Sequence, residues 1–239
     1  MISFIVPAHD EELLIGRTLE HLRVAGEAFR RPFEIVVVDD ASTDRTAEIA
    51  AAGGARVVPV AHRRISSTRN AGARAALGDV LVFVDADTVL DAGTLRAALA
   101  AIDGGAAGGG AMIRFDGDVP LLGRFFEWVV SPLFRWGGLA AGCFLFCTRA
   151  AFEASGGYRE DVFAAEEVWM SRALRAQGRF VVLRRRVLTS GRRVRAHSTV
   201  EILRLFAGTA LHPSRLTDRD AMRLWYDPRR LEPGRPPGA

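Results

Sequence analysis

The sequence contains no lysine, so all 32 of its basic residues are arginines. We attribute this bias to the base composition of the genome rather than to function. The formal net charge is +4 at pH 7. A surplus of this size favours phosphorylated ligands or an anionic membrane surface without requiring nucleic acid. We therefore expect no nucleic-acid partner.

Cysteine is scarce, with only Cys143 and Cys147 present. On a single strand their Cα atoms would lie about 13 Å apart. That separation exceeds the limit of roughly 7 Å for a disulfide. The sequence therefore predicts two reduced thiols, which are typical of cytoplasmic proteins.

Long hydrophobic runs are also missing, since no stretch of about 18 uncharged apolar residues could span a bilayer. The chain enters a strand pattern at Ile2, without the basic region or cleavage site of a signal peptide. We expect a cytoplasmic protein that could still contact the inner face of the membrane peripherally. The sequence leaves the oligomeric state open.

The sequence does have the composition of a globular core, with 49% hydrophobic and 25% charged residues. A length of 239 residues suits one large domain, or one domain with a smaller extension. Helical patterns separate four apolar strand patterns, which are Ile2–Val6, Phe33–Val38, Arg56–Val60 and Val80–Val84. This alternation indicates right-handed βαβ units and an α/β fold with a mostly parallel sheet flanked by helices.

The second half has less regular patterns. Gly104–Gly110 is rich in glycine, which indicates a flexible connection. Pro120–Trp136 is aromatic with few charges, and we favour a core or acceptor-cleft role for it over a membrane interface. Phe180–Leu183 and Val187–Leu188 are predicted as two short strands. The composition after Glu232 predicts disorder.

Pairs of carboxylates follow two of the apolar strands. Asp85 and Asp87 come directly after Val80–Val84, and Asp39 and Asp40 follow the second strand. The carboxyl ends of parallel strands share the edge of the sheet at which open α/β folds bind ligands. Carboxylates this close repel each other unless a cation joins them, and oxygen ligands suit Mg²⁺ or Mn²⁺. A polar turn would explain either pair taken singly.

Other candidates lie further along the chain. Glu166 and Glu167 open a predicted helix, where the helix dipole alone would favour acids. Arg69 could orient one of several acids or contact a phosphate. The arginine cluster from Arg184 to Arg195 could bind a diphosphate or an anionic membrane.

The motifs together resemble the family 2 glycosyltransferases of GT-A fold, a Rossmann-like α/β fold. The resemblance extends over residues 1 to 195. It depends on the order and spacing of short motifs, which are Val6-Pro7, Asp10-Glu11, Val38-Asp39-Asp40-Ala41-Ser42-Thr43-Asp44, Arg69-Asn70-Ala71-Gly72, Asp85-Ala86-Asp87 and Glu166-Glu167.

The resemblance implies that a nucleotide-diphospho-sugar donor binds across the first half of the sheet. Pro7 and Glu11 would lie beside the nucleoside, and Asp40, next to Asp39, would contact the base. Asp85 would approach the ribose. Asp87 would hold the Mg²⁺ or Mn²⁺ that bridges the donor diphosphate.

The resemblance also suggests roles for the later residues. Glu167 matches the catalytic base, which is usually an Asp in the family, so the choice between Glu166 and Glu167 stays open. Arg192 and Arg193 resemble a late basic element that closes over the diphosphate. His197 could add a metal or phosphate contact, although a lone histidine is more often structural.

The predicted function is a metal-dependent, inverting hexosyl transfer from a nucleotide-diphospho-sugar to a saccharide, lipid or small-molecule acceptor. Residues 1–103 would form the donor half and 104–212 the acceptor and catalytic half, with 213–239 as a C-terminal extension. One alternative is a polyprenyl-phosphate sugar synthase at the membrane surface, and another is a non-catalytic nucleotide-sugar-binding protein. A nucleotidyltransferase fits less well, because Pro7-Ala8-His9-Asp10 is not a glycine-rich loop.

Overall fold

The computed structural model of the chain describes residues 1–222, with the side chains of all but a few residues between positions 203 and 213. Within these residues, eight strands form one sheet. The strands are β1 Ile2–Ala8, β2 Phe33–Asp40, β3 Arg56–Val60, β4 Val80–Val84, β5 Thr88–Val89, β6 Gly108–Phe115, β7 Phe144–Thr148 and β8 Phe180–Thr189.

Helices cover the sheet on both faces. They are α1 Ile15–Glu27, α2 Thr46–Ala52, α3 Ile65–Ala75, α4 Ala92–Asp103, α5 Leu121–Phe125, α6 Ser131–Trp136, α7 Arg149–Ala154, α8 Glu166–Gln177, α9 Arg192–Ala196 and α10 Thr199–Leu211. A π-helical turn, Phe126–Val130, joins α5 to α6, and a 3₁₀ turn, Pro213–Thr217, follows α10. No helix among the described residues is long and apolar enough to cross a bilayer. The disorder predicted after residue 232 lies outside the described residues.

The strand order is β3-β2-β1-β4-β7-β6-β8-β5. The first four strands in this order are mutually parallel, as the alternating pattern predicted. Antiparallel pairing begins where β4 meets β7 and recurs between β6 and β7 and between β5 and β8. The α/β class with a mostly parallel sheet flanked by helices is confirmed.

Two apolar clusters fill the space between the sheet and its helices. One contains Ile15 and Leu19 of α1 and Leu95 of α4, and the other contains Ala73 of α3 and Leu174 of α8. Because β1 and β4 lie between these clusters, every residue of both strands is buried. This double burial is the reason that both strands are apolar, apart from Ser3 of β1, whose hydroxyl bonds to Glu34.

The prediction of a flexible glycine-rich connection at Gly104–Gly110 is wrong, because Gly108–Gly110 begin the interior strand β6. A Cβ on Gly109 would lie 2.0 Å from the carbonyl oxygen of Val181, and one on Gly110 would lie 2.4 Å from Cβ of Ala140. The glycines therefore allow close contact between β6 and its neighbours, rather than chain flexibility.

Two local predictions also need correction. The position of Asp10 before the first helical pattern predicts an N-cap, but α1 begins only at Ile15 and has no side-chain cap. Asp10 has a positive φ of 51°, and its carboxylate accepts a hydrogen bond from the backbone N–H of Thr43 at 2.7 Å. The two short strands predicted around Arg184–Arg186 are one continuous strand, β8.

Candidate functional site

The carboxyl ends of β1, β2 and β4 lie at one edge of the sheet and carry the first set of predicted site residues. Asp85 and Asp87 follow β4 in a tight turn, in which the N–H of Thr88 donates to the carbonyl oxygen of Asp85 at 3.0 Å. The N–H of Asp85 donates to the carbonyl oxygen of Cys143 at 3.1 Å. The turn is thus fixed to the segment just before β7.

Arg69 of α3 joins the two halves of the site, and its side chain is only 1% exposed. Its guanidinium donates to Asp85 Oδ1 at 2.7 Å, to Glu166 Oε1 at 2.6 Å and to the carbonyl oxygen of Gly142 at 2.8 Å. The ring of Tyr158 lies 5.3 Å from the guanidinium carbon. The expectation that Arg69 orients an acid agrees with these contacts.

The two glutamates at the start of α8 have different surroundings. Glu166 is buried and paired with Arg69. Glu167 is half-buried, packs against Gly142, and has no other side chain of the described region within hydrogen-bond or ion-pair distance. Burial, and then the charge of Glu166, raise the pKa of Glu167 to about 8. A carboxyl group with such a pKa can accept a proton near neutral pH.

Asp87 contacts the end of strand β8 and the start of α9. Its Oδ1 accepts a hydrogen bond from the hydroxyl of Thr189 at 3.3 Å, and its Oδ2 lies 3.4 Å from the guanidinium of Arg192. The same Arg192 nitrogen also contacts the buried carboxylate of Glu11. Arg192 therefore links the β1–α1 loop with the carboxylates that follow β4.

Burial raises the pKa of both Asp85 and Asp87 above the usual aspartate value. Arg69 opposes this shift at Asp85, and Arg192 opposes it at Asp87. The charge of Asp85 further raises the pKa of Asp87, whereas Arg193 lowers the pKa of both. These carboxylates therefore lie in an environment that favours additional positive charge.

Asp39 and Asp40 differ in their hydrogen bonding. Asp40 accepts hydrogen bonds from the backbone N–H groups of His62, Arg63 and Arg64 and from the hydroxyl of Thr68, at 2.7 to 3.2 Å. It therefore fixes the loop that leads into α3. Asp39 Oδ1 is buried without a hydrogen-bond partner.

The β1 and β2 loops are fixed to each other through side chains. Pro7 is buried at the end of β1, beside Val38 of β2. The N–H of Glu11 donates to the hydroxyl of Thr46 at 2.7 Å, and the N–H of Asp10 donates to that of Ser42 at 3.1 Å. This cross-linking holds Glu11 and the neighbouring carboxylates in a fixed relation.

The predicted metal ligands are only partly brought together. Asp85 and Asp87 are adjacent, and His197 is buried just after α9. Within residues 1–222, no group of three or more His, Cys, Asp or Glu side chains is placed to hold a metal ion. A role for His197 as a metal ligand stays a prediction.

Asp116 was not identified from the sequence. It follows β6, and its carboxylate accepts hydrogen bonds from the N–H of Gly191 at 2.8 Å and from Arg195 at 3.1 Å. It thereby fixes the loop that carries Arg192. An acid after a strand is the same pattern that identified Asp85, but the glycines of β6 concealed the strand.

A protein-family model matches the first part of the chain. The model of the family described as "Glycosyl transferase family 2" matches residues 3–130, more than half of the chain. The chain therefore belongs to glycosyl transferase family 2.

Curated relatives match a shorter region. They are a 4,4'-diaponeurosporenoate glycosyltransferase of Staphylococcus haemolyticus, 37% identical over 97 residues, and an undecaprenyl-phosphate 4-deoxy-4-formamido-L-arabinose transferase of Pseudomonas paraeruginosa, 34% identical over 99 residues. These matches cover 38% and 36% of this chain but only 25% and 28% of the relatives. The match to an uncharacterized glycosyltransferase of Mycobacterium bovis, 34% identical, covers 44% of this chain and 45% of that protein.

Solved structures share the fold over most of the chain. The mannosyltransferase PcManGT from Pyrobaculum calidifontis, in complex with GDP-Man and Mn²⁺, matches with a TM-score of 0.67 and 20% identity, over 93% of this chain and 64% of that one. S. aureus TarS 1-349 matches with a TM-score of 0.63 and 20% identity, over 94% and 71% of the two chains. These neighbours are GT-A glycosyltransferases, so the GT-A fold predicted for this chain is confirmed.

Proposed function

We propose that this chain transfers a hexosyl group from a nucleotide-diphospho-sugar to an acceptor hydroxyl, in a metal-dependent reaction that inverts the anomeric centre. The observation that carries the proposal is the buried Arg69, which joins Asp85 to Glu166 beside the half-buried Glu167. A candidate base thus lies next to the carboxylates that follow β4. This arrangement suits acceptor activation close to a bound diphosphate.

The donor would bind across residues 1–103, and residues 104–212 would provide the acceptor side. Asp39 has a buried carboxylate oxygen without a partner, which supports it as an acceptor for a nucleoside N–H or hydroxyl. Asp40, the next residue, fixes the loop that leads into α3. Pro7 and Glu11 line the neighbouring loop.

A divalent metal ion fits the chemistry of the carboxylate pair. Asp85 and Asp87 are half-buried near each other, and the pKa of each is raised, so a cation would compensate for their mutual repulsion and partial desolvation. Asp87 and Asp85 would hold Mg²⁺ or Mn²⁺, with His197 as a further candidate. When bound, the ion would stabilise the negative charge that forms on the leaving diphosphate.

Glu167 would remove the proton from the acceptor hydroxyl as its oxygen attacks the anomeric carbon. The bond between that carbon and the diphosphate oxygen would break, and the nucleoside diphosphate would leave with the bonding electrons. Direct displacement of this kind inverts the anomeric centre. Arg192 and Arg193 would counter the charge of the leaving group.

Transfer to a polyprenyl phosphate at a membrane surface is a second candidate. One relative is named as an undecaprenyl-phosphate sugar transferase, although it shares only 99 aligned residues with this chain. The large exposed apolar side chains between Leu121 and Trp136 also favour an acceptor that is presented by a lipid phase.

The donor site is tested by Asp87→Asn. This substitution keeps the side-chain shape but removes the charge, so we expect transfer to fall by at least about 10²-fold. Turnover would be measured by release of nucleoside diphosphate from UDP-, GDP- and dTDP-sugars with Mn²⁺. An unchanged melting temperature would show that the fold is retained, and undiminished turnover would refute the role of Asp87.

The base is tested by comparing Glu167→Gln with Glu166→Gln. We expect Glu167→Gln to bind donor normally but to transfer about 10²- to 10⁴-fold more slowly, as loss of a general base predicts. Glu166→Gln should mainly reduce stability, because it breaks the contact with Arg69. If only Glu166→Gln slows transfer at unchanged stability, the base is Glu166.

A further inference from the structure

The helical segment from α5 to α6 exposes most of its large apolar side chains. Over 16 residues it extends about 24 Å. Its exposed apolar residues, which we call the ridge, are Leu121, Phe125, Trp128, Val129, Leu133 and Trp136. Their exposed fractions range from 39% at Val129 to 88% at Trp136. Contiguous exposed apolar surface of this kind marks an interaction site.

Polar groups on the opposite face of the helix explain this orientation. Gly123, Glu127 and Ser131 are buried at four-residue intervals. The carboxylate of Glu127 accepts a hydrogen bond from the N–H of Phe115, and the hydroxyl of Ser131 accepts one from the N–H of Ile113 at 3.1 Å. The segment thus satisfies two backbone N–H groups in the part of β6 that does not pair with β7, and the apolar residues on its other face are left exposed.

An open cavity of about 970 Å³ lies beside the ridge. Its wall includes Arg17 of α1, Arg114 of β6 and Arg186 of β8. Trp128 of the ridge also lines the cavity. The guanidinium of Arg186 lies 4.8 Å from the centre of the Trp128 ring. The cavity is therefore continuous with the ridge.

The cavity wall contains four arginines and three acids, so its formal net charge is positive. No carboxylate of the described region lies within ion-pair distance of Arg17, Arg114 or Arg186. The three acids have other partners, since Asp116 pairs with Arg195, Asp118 pairs with Arg124 of the same wall, and Glu127 accepts a hydrogen bond from the backbone. Three guanidinium groups thus remain available to an anion.

We propose that the ridge and this cavity form a docking surface for an anionic phospholipid bilayer. The apolar side chains would enter the interfacial layer, where tryptophan is favoured, and the arginines would bind lipid phosphates. The charged face that such a helix normally carries is provided here by β6 and β8. This inference deepens the proposed function, because it rests on transfer to an acceptor at a lipid surface.

Asp116 connects the docking surface to the candidate site. Asp116 lines the cavity, and its carboxylate also fixes the N–H of Gly191, immediately before Arg192. A bilayer seated on the ridge would therefore present a lipid acceptor close to the loop that carries Arg192. No membrane-spanning helix is required for this arrangement.

The test is co-sedimentation of the full chain with vesicles at low salt. One set contains phosphatidylcholine alone, and the other contains equal parts of phosphatidylcholine and phosphatidylglycerol. We expect binding to the anionic vesicles, with about fivefold weaker binding for each of Arg114→Gln and Arg186→Gln. Leu121→Ser with Trp136→Ala should weaken binding by at least tenfold. The matched controls Arg30→Gln and Leu77→Ser, exposed elsewhere on the surface, should bind like the unmodified chain.

Each alternative result overturns the docking proposal. Absence of vesicle binding, equal binding to neutral vesicles, or equal effects of the control variants would do so. Displacement from vesicles by millimolar glycerol phosphate would instead assign the cavity to a free phosphate ligand. Nucleotide-sugar turnover, measured separately without lipid, tests the proposed function. Turnover without vesicle binding refutes only the docking surface, and vesicle binding without any donor turnover refutes only the catalytic proposal.

Discussion

The two halves of the sheet are built by different kinds of contact. In the first half, strands β1 to β4 are parallel, and a helix lies between each strand and the next in sequence. The two central strands, β1 and β4, are buried throughout. In the second half, β6 lies between β7 and β8, which are both later in the chain. Local sequence therefore determines the first half of the sheet, whereas the second half depends on contacts between distant residues.

Arg69 is the point at which the two halves depend on each other. It belongs to α3 of the first half, but two of its contacts, Glu166 and the carbonyl of Gly142, belong to the second half. Its third contact, Asp85, directly follows β4 of the first half. A single buried cation therefore positions both Asp85 and Glu166, which is the sequence neighbour of the candidate base Glu167.

The largest expected effect is that of Arg69→Met. Loss of the guanidinium leaves the buried Glu166 and the half-buried Asp85 without their cation, so we expect the free energy of unfolding to fall by about 3–5 kcal/mol. Transfer should fall as well, because both carboxylates lose their orientation. Urea denaturation and nucleotide-sugar turnover measure the two effects.

Two further variants sharpen this result. Adding Glu166→Gln to Arg69→Met removes one of the unpaired charges, so part of the lost stability should return. Arg23→Met breaks only the exposed contact with Glu27 and should change stability little. If Arg69→Met is no more destabilising than Arg23→Met, Arg69 does not join the halves.

The predictable part of the molecule follows this division. Local apolar runs predict strands β1 to β4. They also place Asp85 and Asp87 at the carboxyl end of a strand, where open α/β sheets bind their ligands. The pairing of Arg69 with Asp85 agrees with the expectation that it orients an acid. Each of these inferences needs only a short window of sequence.

The rest depends on information that no local window contains. The glycines of β6 are needed because the Val181 carbonyl and Ala140 approach them, and both lie far along the chain. When the glycines at the start of β6 are interpreted as a flexible connection, no strand is predicted before Asp116, and its position at a strand end is not recognised. Asp10 looked like a helix cap, but its partner is Thr43, which is 33 residues away.

An intermediate effect is expected for Gly109→Ala in the second half. The new Cβ would lie 2.0 Å from the Val181 carbonyl oxygen, so β6 and β8 must separate. We expect a loss of about 1–3 kcal/mol or more, as for other overpacked interiors. In Gly16→Ala of α1 the Cβ would make an ordinary 3.5 Å contact with Ile49, and stability should stay equal or rise by up to about 1 kcal/mol. Thermal and urea unfolding measure both, and equal tolerance at the two sites would contradict the steric role of Gly109.

The smallest expected effect is a pH dependence that originates in Glu167. Its pKa is raised to about 8, so the carboxylate needed for proton removal is lost as pH falls, and kcat/KM should drop about tenfold per unit below pH 8. In the folded protein the pKa of Glu167 lies above the usual value of 4.5 that applies to the unfolded chain. The contribution of this group to the free energy of unfolding should therefore decrease as pH rises from 4.5 to 8. Glu167→Gln should abolish this stability trend, and Glu166→Gln should move the activity limb to lower pH by removing a neighbouring charge. An activity limb near pH 4.5 in the unmodified chain would show that Glu167 is not the base or that its surroundings do not raise its pKa.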